Sequence, residues 1–436
     1  MILNPIPVQD ALLLDRSTTL DDILPLANDI VSKVWKGKDS SLRQVAEKFG
    51  DLTKNEPMIL ERDILEDALE RIPLKERYVL ERTAERIRRF AEAQRRTLSD
   101  LTVSIDGGHA GHTVLPLERA ACYAPGGRYP LPSSVLMTAV TARAAGVETV
   151  WVASPKPSLH TLAAAAIAGT DALLAVGGAH AIAALAYGTE TIPKFDVIVG
   201  PGNRWVTAAK QLVSGIAKID MLAGPSELAV IADESASPAW VAADLLAQAE
   251  HDPDARVFLI VMTPDLLTKV ERELEKQLQG LPTEGIASPS LGSSYAIIAG
   301  DLDAIAQVIN HIAPEHLSLQ LTSVRTKALR PLLRNYGGLF LGSGSAEVLG
   351  DYGLGPNHVL PTQGTGRVRG GLSVFDFLKI QTWTEVSDLS EQAAVDIQAL
   401  ARMEGLEAHR RSLAIRMQDK AGGTEIKKGS LSAIHG

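Results

Sequence analysis

The chain has 436 residues, more than one ordinary hydrophobic core accommodates, so two or more domains are expected. Its composition, 45% hydrophobic and 22% charged, is that of a folded protein rather than a disordered one. Lys and Arg total 43 against 52 Asp and Glu; the resulting net charge of −9 excludes a global electrostatic grip on nucleic acid or on an anionic membrane.

The first ten residues lack the basic start and long apolar run of an export signal, so a cytoplasmic protein is expected. The first hundred residues read as mostly helical. Over 76–96 both charge signs are dense, and Leu80, Ala84, Ile87 and Ala91 form one apolar stripe, which predicts a surface helix with a solvated outer face. From about residue 120, short β-branched runs alternate with Ala-rich helical stretches. Residues 149–153, 196–199, 228–232 and 257–262 read as buried parallel strands; 295–299, 317–321 and 338–341 continue the series. Helical patterns at 159–168 and 205–213 lie between them, which argues for α/β units with right-handed crossovers. The apolar stretch 162–168 is too short to span a membrane. Residues 390–418 are helical in texture, and 421–436 read as a polar tail.

Cys122 is the one cysteine, so an internal disulfide framework, a Cys-based zinc knuckle and an iron–sulfur cluster are excluded within one chain. Any metal must be held by His and oxygen ligands. Ser237-Pro238 is a helix start and Asp252-Pro253 a stop, which predicts a helix over 238–251. Gln248 and His251 share a face at its last turn. They read either as a carbonyl oxygen and an imidazole for one divalent cation, or as a polar helix end capped by a histidine. Glu315-His316, just before a strand, reads as two bases facing a cleft or as a solvated turn. Residues 351–358 form a Gly-rich loop carrying Asp351 and His358, a mixture of functional type. The turns at 125–130 and 200–203 would let a phosphate or nucleotide approach closely, although no GxGxxG fingerprint is present. His109 and His112, with Asp106 nearby, imitate a metal pair and read as a decoy.

Together these segments resemble the histidinol dehydrogenase family. The resemblance rests on Pro125-Gly126-Gly127, the 131–137 run, Gly200–Asn203, Ile219-Asp220-Met221 and Ala223–Glu227. It continues through Gln248–His251, Pro314–Leu317, Asp351-Tyr352, Asn357–Thr362, Glu404-Gly405-Leu406 and Ala408-His409, in the family order along nearly the whole chain. It implies an α/β fold of two Rossmann-like lobes with parallel sheets and small helical terminal segments, in an intertwined homodimer. One lobe, binding NAD, would span 122–226. The other, carrying metal and catalytic residues, would combine 22–121 with 227–370. Residues 1–21 would form an N-terminal segment and 371–436 a helical segment crossing to the partner subunit.

The resemblance further implies zinc held by Gln248, His251, Asp351 and His409, the last supplied by the neighbouring subunit, so that active sites are shared. Glu315 and His316 map to the catalytic pair of an NAD-dependent, two-step oxidation of an amino alcohol to an amino acid. Ser226, His358 and Glu404 map to substrate contacts, alongside Gln248, His251, His316, Asp351 and His409. Tyr123 and Asn203 map to NAD contacts, and His180 stands where the family usually has a Gln touching NAD. The substrate implied is histidinol, on the route to histidine. Arg128-Tyr129 and the 365–371 segment depart from the common pattern, and resemble a relative that oxidises dihydroxypropanesulfonate. Arg128, Arg367 or Arg369 would then pair with a sulfonate, so another small polar alcohol is the alternative substrate. Neither nucleic acid nor a membrane is expected as a partner.

Overall fold

Runs of Val, Ile, Leu and Ala without a polar face are stable as strands only when both sides of their sheet are covered. The computed structural model, which describes residues 2–16, 19–126 and 130–421, has two such sheets of six strands. The first runs in the order Asn4–Ile6, Tyr295–Ile298, Arg256–Val261, Glu227–Ala232, His316–Gln320, Gly338–Leu341, with every pairing parallel. The second runs Ile59–Glu61, Ala172–Leu174, Thr149–Ala153, Arg119–Tyr123, Val197–Val199, Lys218–Ile219, parallel except for the antiparallel edge at Ile59–Glu61. In each, the strand that is first in sequence among the central five lies mid-sheet, and the chain then winds outward in both directions. This is the doubly wound α/β plan, with a crevice where the strand order reverses.

The two faces of the first sheet are separate cores. Leu228, Val230, Ala232, Val257, Leu259 and Val261 pack under the helices Pro238–Ala249 and Pro264–Leu278. Ala229, Ile231, Phe258, Ile260, Leu317 and Leu319 pack under the helix Leu302–Ile312. Strand alternation therefore turns His316, Ser318 and Gln320 toward the Pro238–Ala249 helix, and Nε2 of Gln320 donates to Oδ2 of Asp244 on that helix at 2.8 Å.

The central strands sit within a residue of their expected positions. Five short strands, among them Arg119–Tyr123 and Ala172–Leu174, are Ala-rich or only two or three residues long and carry little β signal. The helix expected over 238–251 ends at Ala249, with Glu250 as its cap, so His251 lies just beyond it. Residues 390–418 form two helices, Glu391–Met403 and Glu407–Ala421, broken at Gly405 with φ +73°. Residues 59–61, expected to group with 227–370, instead hydrogen-bond to the sheet of the 122–226 region, where they cover an edge.

Chain contacts divide the protein into two compact units. Among the described residues, one lies within 1–97 and 116–378 and holds both large sheets; the other comprises 98–115 and the described chain from 379 onward. The second unit has a three-stranded sheet in the order Leu378–Val386, Gly108–Pro116, Leu101–Ile105, followed by the two C-terminal helices. His109 and His112 are an odd number of residues apart on the Gly108–Pro116 strand and point to opposite faces, which removes them as a metal pair.

Candidate active site

The helix Leu302–Ile312 ends on Ala313 in the left-handed conformation, φ +47°, and Pro314, with no N–H to donate, cannot continue it. That turn delivers Glu315 and His316 into the protein at 6% and 4% exposure. Both are gripped by the backbone of Glu227 on the adjoining strand. Its N–H donates to Oε2 of Glu315 at 2.8 Å, and its carbonyl lies 3.1 Å from Nδ1 of His316. A carbonyl only accepts, so Nδ1 carries the proton and a neutral His316 presents Nε2 as a free base. Burial lowers the His316 pKa and outweighs the nearby Asp351, which favours that neutral form. Nε2 stands 3.9 Å from Oδ1 of Asp351. Burial pushes the Glu315 carboxyl well above the usual range, with Glu227, Asp351 and Glu347 adding like charge.

Asp351, on the short helix Val348–Asp351, is the hub. Its Oδ2 lies 3.6 Å from Nε2 of His251, and its carbonyl accepts from Nδ1 of His358 at 3.1 Å. Burial would raise its pKa, but His251, His316 and His358 together hold it below the usual carboxylate value. Contact with Asp351 raises the His251 pKa against the opposing effect of burial. Nε2 of His358 faces Oγ of Ser134 at 3.4 Å. Ser226, half-buried, immediately precedes the Glu227 strand.

Gln248, one helical turn before His251, is 1% exposed, and neither of its amide atoms has a hydrogen-bond partner. Glu347, four residues before Asp351, is equally buried with both oxygens unpartnered. Ligand atoms of His251, Glu347 and Asp351 all lie within 4.8 Å of one another. Orphaned buried polar atoms beside an imidazole and a carboxylate fit a divalent cation of zinc type. Sequence reading missed Glu347. The available signal was its four-residue spacing from Asp351, which puts both carboxyls one turn apart ahead of a Gly-rich loop.

Tyr123, His180 and Asn203 each follow or end a strand at the carboxyl side of the second sheet, the usual ligand crevice of this plan. Tyr123 closes its strand beside Gly200, whose φ is +113° and where a Cβ would fall 2.0 Å from the Tyr123 carbonyl oxygen, so only glycine fits. Burial pushes the Tyr123 hydroxyl up to about 12, and that hydroxyl accepts from the Gly178 N–H at 3.1 Å. His180 is 3% exposed, with Nε2 3.0 Å from Oδ2 of Asp51; the same oxygen accepts from the Gly177 N–H. Asn203 caps the helix Arg204–Val213, its Oδ1 accepting from the N–H groups of Trp205 and Val206. Glu404 and His409 are exposed and belong to the second unit, the first capping one C-terminal helix and the second lying on the other.

Of the three arginines considered for an anionic substrate, Arg128 lies outside the described residues. Arg367 and Arg369 are exposed, and Arg367 donates to the His311 carbonyl.

The family model described as "Histidinol dehydrogenase" matches residues 14–417. The histidinol dehydrogenase of Thermus thermophilus is 50% identical, over 78% of this chain and 82% of its own. That of Pseudomonas savastanoi is 42% identical, over 96% and 95%. The crystal structure of histidinol dehydrogenase from Elizabethkingia anophelis superposes with a TM-score of 0.90 at 30% identity, covering 96% of this chain and 99% of that one.

Proposed function

The chain belongs to the histidinol dehydrogenase family, and on that premise we propose that it oxidises histidinol to histidine through the aldehyde, with NAD as oxidant, in histidine biosynthesis. The observation that carries the reading is His316, fixed through Nδ1 so that Nε2 is left as a base beside the Asp351 cluster. When bound, zinc would hold the amine and imidazole nitrogens of the substrate, and NAD would accept a hydride in each oxidation. Gln248, His251 and Asp351, with His409 of the partner subunit, are the proposed zinc ligands. Tyr123, His180 and Asn203 are the proposed NAD contacts.

In the first oxidation His316 takes the hydroxyl proton at Nε2 as hydride leaves the carbon that bears the hydroxyl, and it releases that proton to solvent before it acts again. Glu315 then removes a proton from the water that adds to the aldehyde, and His316 takes the hydroxyl proton in the second oxidation. The high pKa of Glu315 reflects burial among other carboxyls, and a divalent cation held beside Asp351 would offset that crowding of negative charge. Ser226, His358 and Glu404 are proposed to orient the substrate.

A homodimer with shared sites is supported by the second unit. Its Glu391–Met403 helix exposes Ile397, Leu400 and Met403 at intervals of three residues, a face that a second copy would cover. No helix among the described residues is long and apolar enough to cross a membrane. We place the enzyme in the cytoplasm, where the single thiol and the biosynthetic role are both at home.

The names of the relatives favour histidinol over a sulfonated alcohol. The deciding experiment follows NADH absorbance with zinc and NAD against histidinol and dihydroxypropanesulfonate in parallel. Turnover of histidinol to histidine supports the assignment; turnover of the sulfonate alone overturns it.

A further inference from the structure

Arg16 is remote in sequence from the catalytic pair, yet its guanidinium reaches the support of that pair from two directions. One nitrogen, Nη2, forms an ion pair with the carboxylate of Glu227, the residue whose N–H holds Glu315 and whose carbonyl holds His316. Another, Nε, donates to the carbonyl of Ile312 at 3.2 Å, three residues before Glu315 and at the start of the turn that presents the pair. The guanidinium lies over the Phe258 ring at 5.3 Å from its centroid. The second oxygen of Glu227 accepts from the N–H of Gln363, which adopts φ +52°, and a Cβ on the next residue, Gly364, would fall 3.2 Å from the Cβ of Arg16. The N-terminal segment is itself tied down, because the Leu14 carbonyl lies 3.1 Å from Nε2 of His311.

We propose that Arg16 is a positioning residue of the oxidation, a guanidinium staple that holds the strand start at Glu227 against the turn carrying Glu315 and His316. A planar fork suits this role, because two donors at fixed separation set the distance between two backbone segments, which a single ammonium does not. Without the staple, Glu227 retains a buried carboxylate that has lost its ion-pair partner. Water or backbone movement then relieves it, and the two catalytic groups shift with the peptide they hang from. A displacement of about 1 Å in such groups costs on the order of a hundredfold in rate.

The proposal rests on the reading of Glu315 and His316 as the catalytic pair, and the test separates the two. The parent, His316→Ala, Arg16→Ala and Arg16→Lys are assayed for NADH formation across histidinol concentrations, with zinc content and melting temperature measured on each. His316→Ala must lose turnover; if it keeps the parental rate, the underlying reading fails. With that control in place, Arg16→Ala is expected to lose about 10–100-fold in kcat while KM for histidinol and zinc content stay within about twofold. Millimolar guanidinium, and not urea, should restore part of the loss, a response that merely weakened folding does not give. Arg16→Lys keeps the charge but cannot bridge both partners, so it should fall between the two. It carries the test if the alanine variant does not fold. Parental kcat in Arg16→Lys and in folded Arg16→Ala, or a loss that tracks only the fraction of zinc-loaded protein, overturns the proposal.

Discussion

Nε2 of His251 stands 3.6 Å from Oδ2 of Asp351. That is too long for a normal hydrogen bond. Two atoms at that separation can instead both bind one cation lying between them. Gln248 adds an amide with no other partner. If zinc binds here as proposed, stripping it removes both the substrate anchor and the compensation for the buried Gln248 amide. A strong chelator is expected to abolish NADH formation and to lower the melting temperature, and added zinc to restore both. At free zinc about a hundredfold above its Kd, the metal should contribute roughly 3 kcal/mol to stability. Activity and melting temperature measured on the same samples check this; full turnover in metal-free protein would sink it.

Glu347 supplies a second metal-dependent test. Its carboxyl lies close to His251 and Asp351, and it also repels Asp244 electrostatically. Asp244, Gln248 and His251 follow one another at intervals of four and three residues, so Glu347 faces the stretch where Gln248 lies. Neither group has a hydrogen-bond partner among the described residues, so with the cation bound to Oε1 of Gln248 a carboxyl oxygen of Glu347 is expected to accept from its Nε2. Glu347→Leu should weaken zinc retention by about 10–100-fold, as loss of a ligand-orienting partner does. Glu347→Gln, which keeps an accepting oxygen, should lose much less. Competition against a chromophoric chelator gives both numbers, and parental retention by the leucine variant would remove Glu347 from this role.

Sequence legibility differed between the two sheets for a physical reason. Tyr123, His180 and Asn203, the proposed NAD contacts, lie at the carboxyl ends of parallel strands, where this plan gathers its ligands, so a fold-level reading points to them. Glu315 and His316 break it: His316 begins its strand, beside the start of the Glu227 strand, at the amino end of the first sheet. Only the local Glu-His pairing and the family resemblance exposed them. Glu227 and Arg16 were invisible as functional residues, because one acts through its peptide groups and the other through a partner 211 residues away. Strand periodicity locates neither kind of contact. His180 was legible as a departure, but its burial against Asp51 follows from long-range packing that no local pattern encodes.

Asp244 yields a pH prediction. Burial raises its pKa from 3.8 to about 6, with the Gln320 hydrogen bond opposing only in part. A carboxyl with a raised folded-state pKa keeps its proton while the unfolded chain has released it. Stability from this group is therefore greatest below pH 3.8 and declines as pH rises to about 6, above which the penalty is complete. Asp244→Asn retains an oxygen for Gln320 and carries no charge. It should stabilise the protein at pH 7 by about 1–3 kcal/mol and flatten this contribution between about pH 4 and 6. Denaturant melts of both proteins across that range check the sign; greater stability of the parent at pH 7 would refute it.

The shared-site reading makes a prediction that a self-contained subunit cannot imitate. Take one chain with His316→Ala and a second with His409→Ala, each inactive as its own homodimer. If His409 serves the subunit it belongs to, every site in the mixed dimer contains one defect and activity stays absent. If it serves the neighbour, one site combines both defects. The other draws an intact His316 from one chain and an intact His409 from its partner, so it is fully native. A verified heterodimer should then recover about half the parental rate per dimer, since one native site turns over independently. Co-expression with two different affinity tags, tandem purification and an NADH assay measure it. Absence of recovery in the doubly tagged species would return His409 to its own subunit and leave the exposed apolar face of Glu391–Met403 without a catalytic reason for its partner.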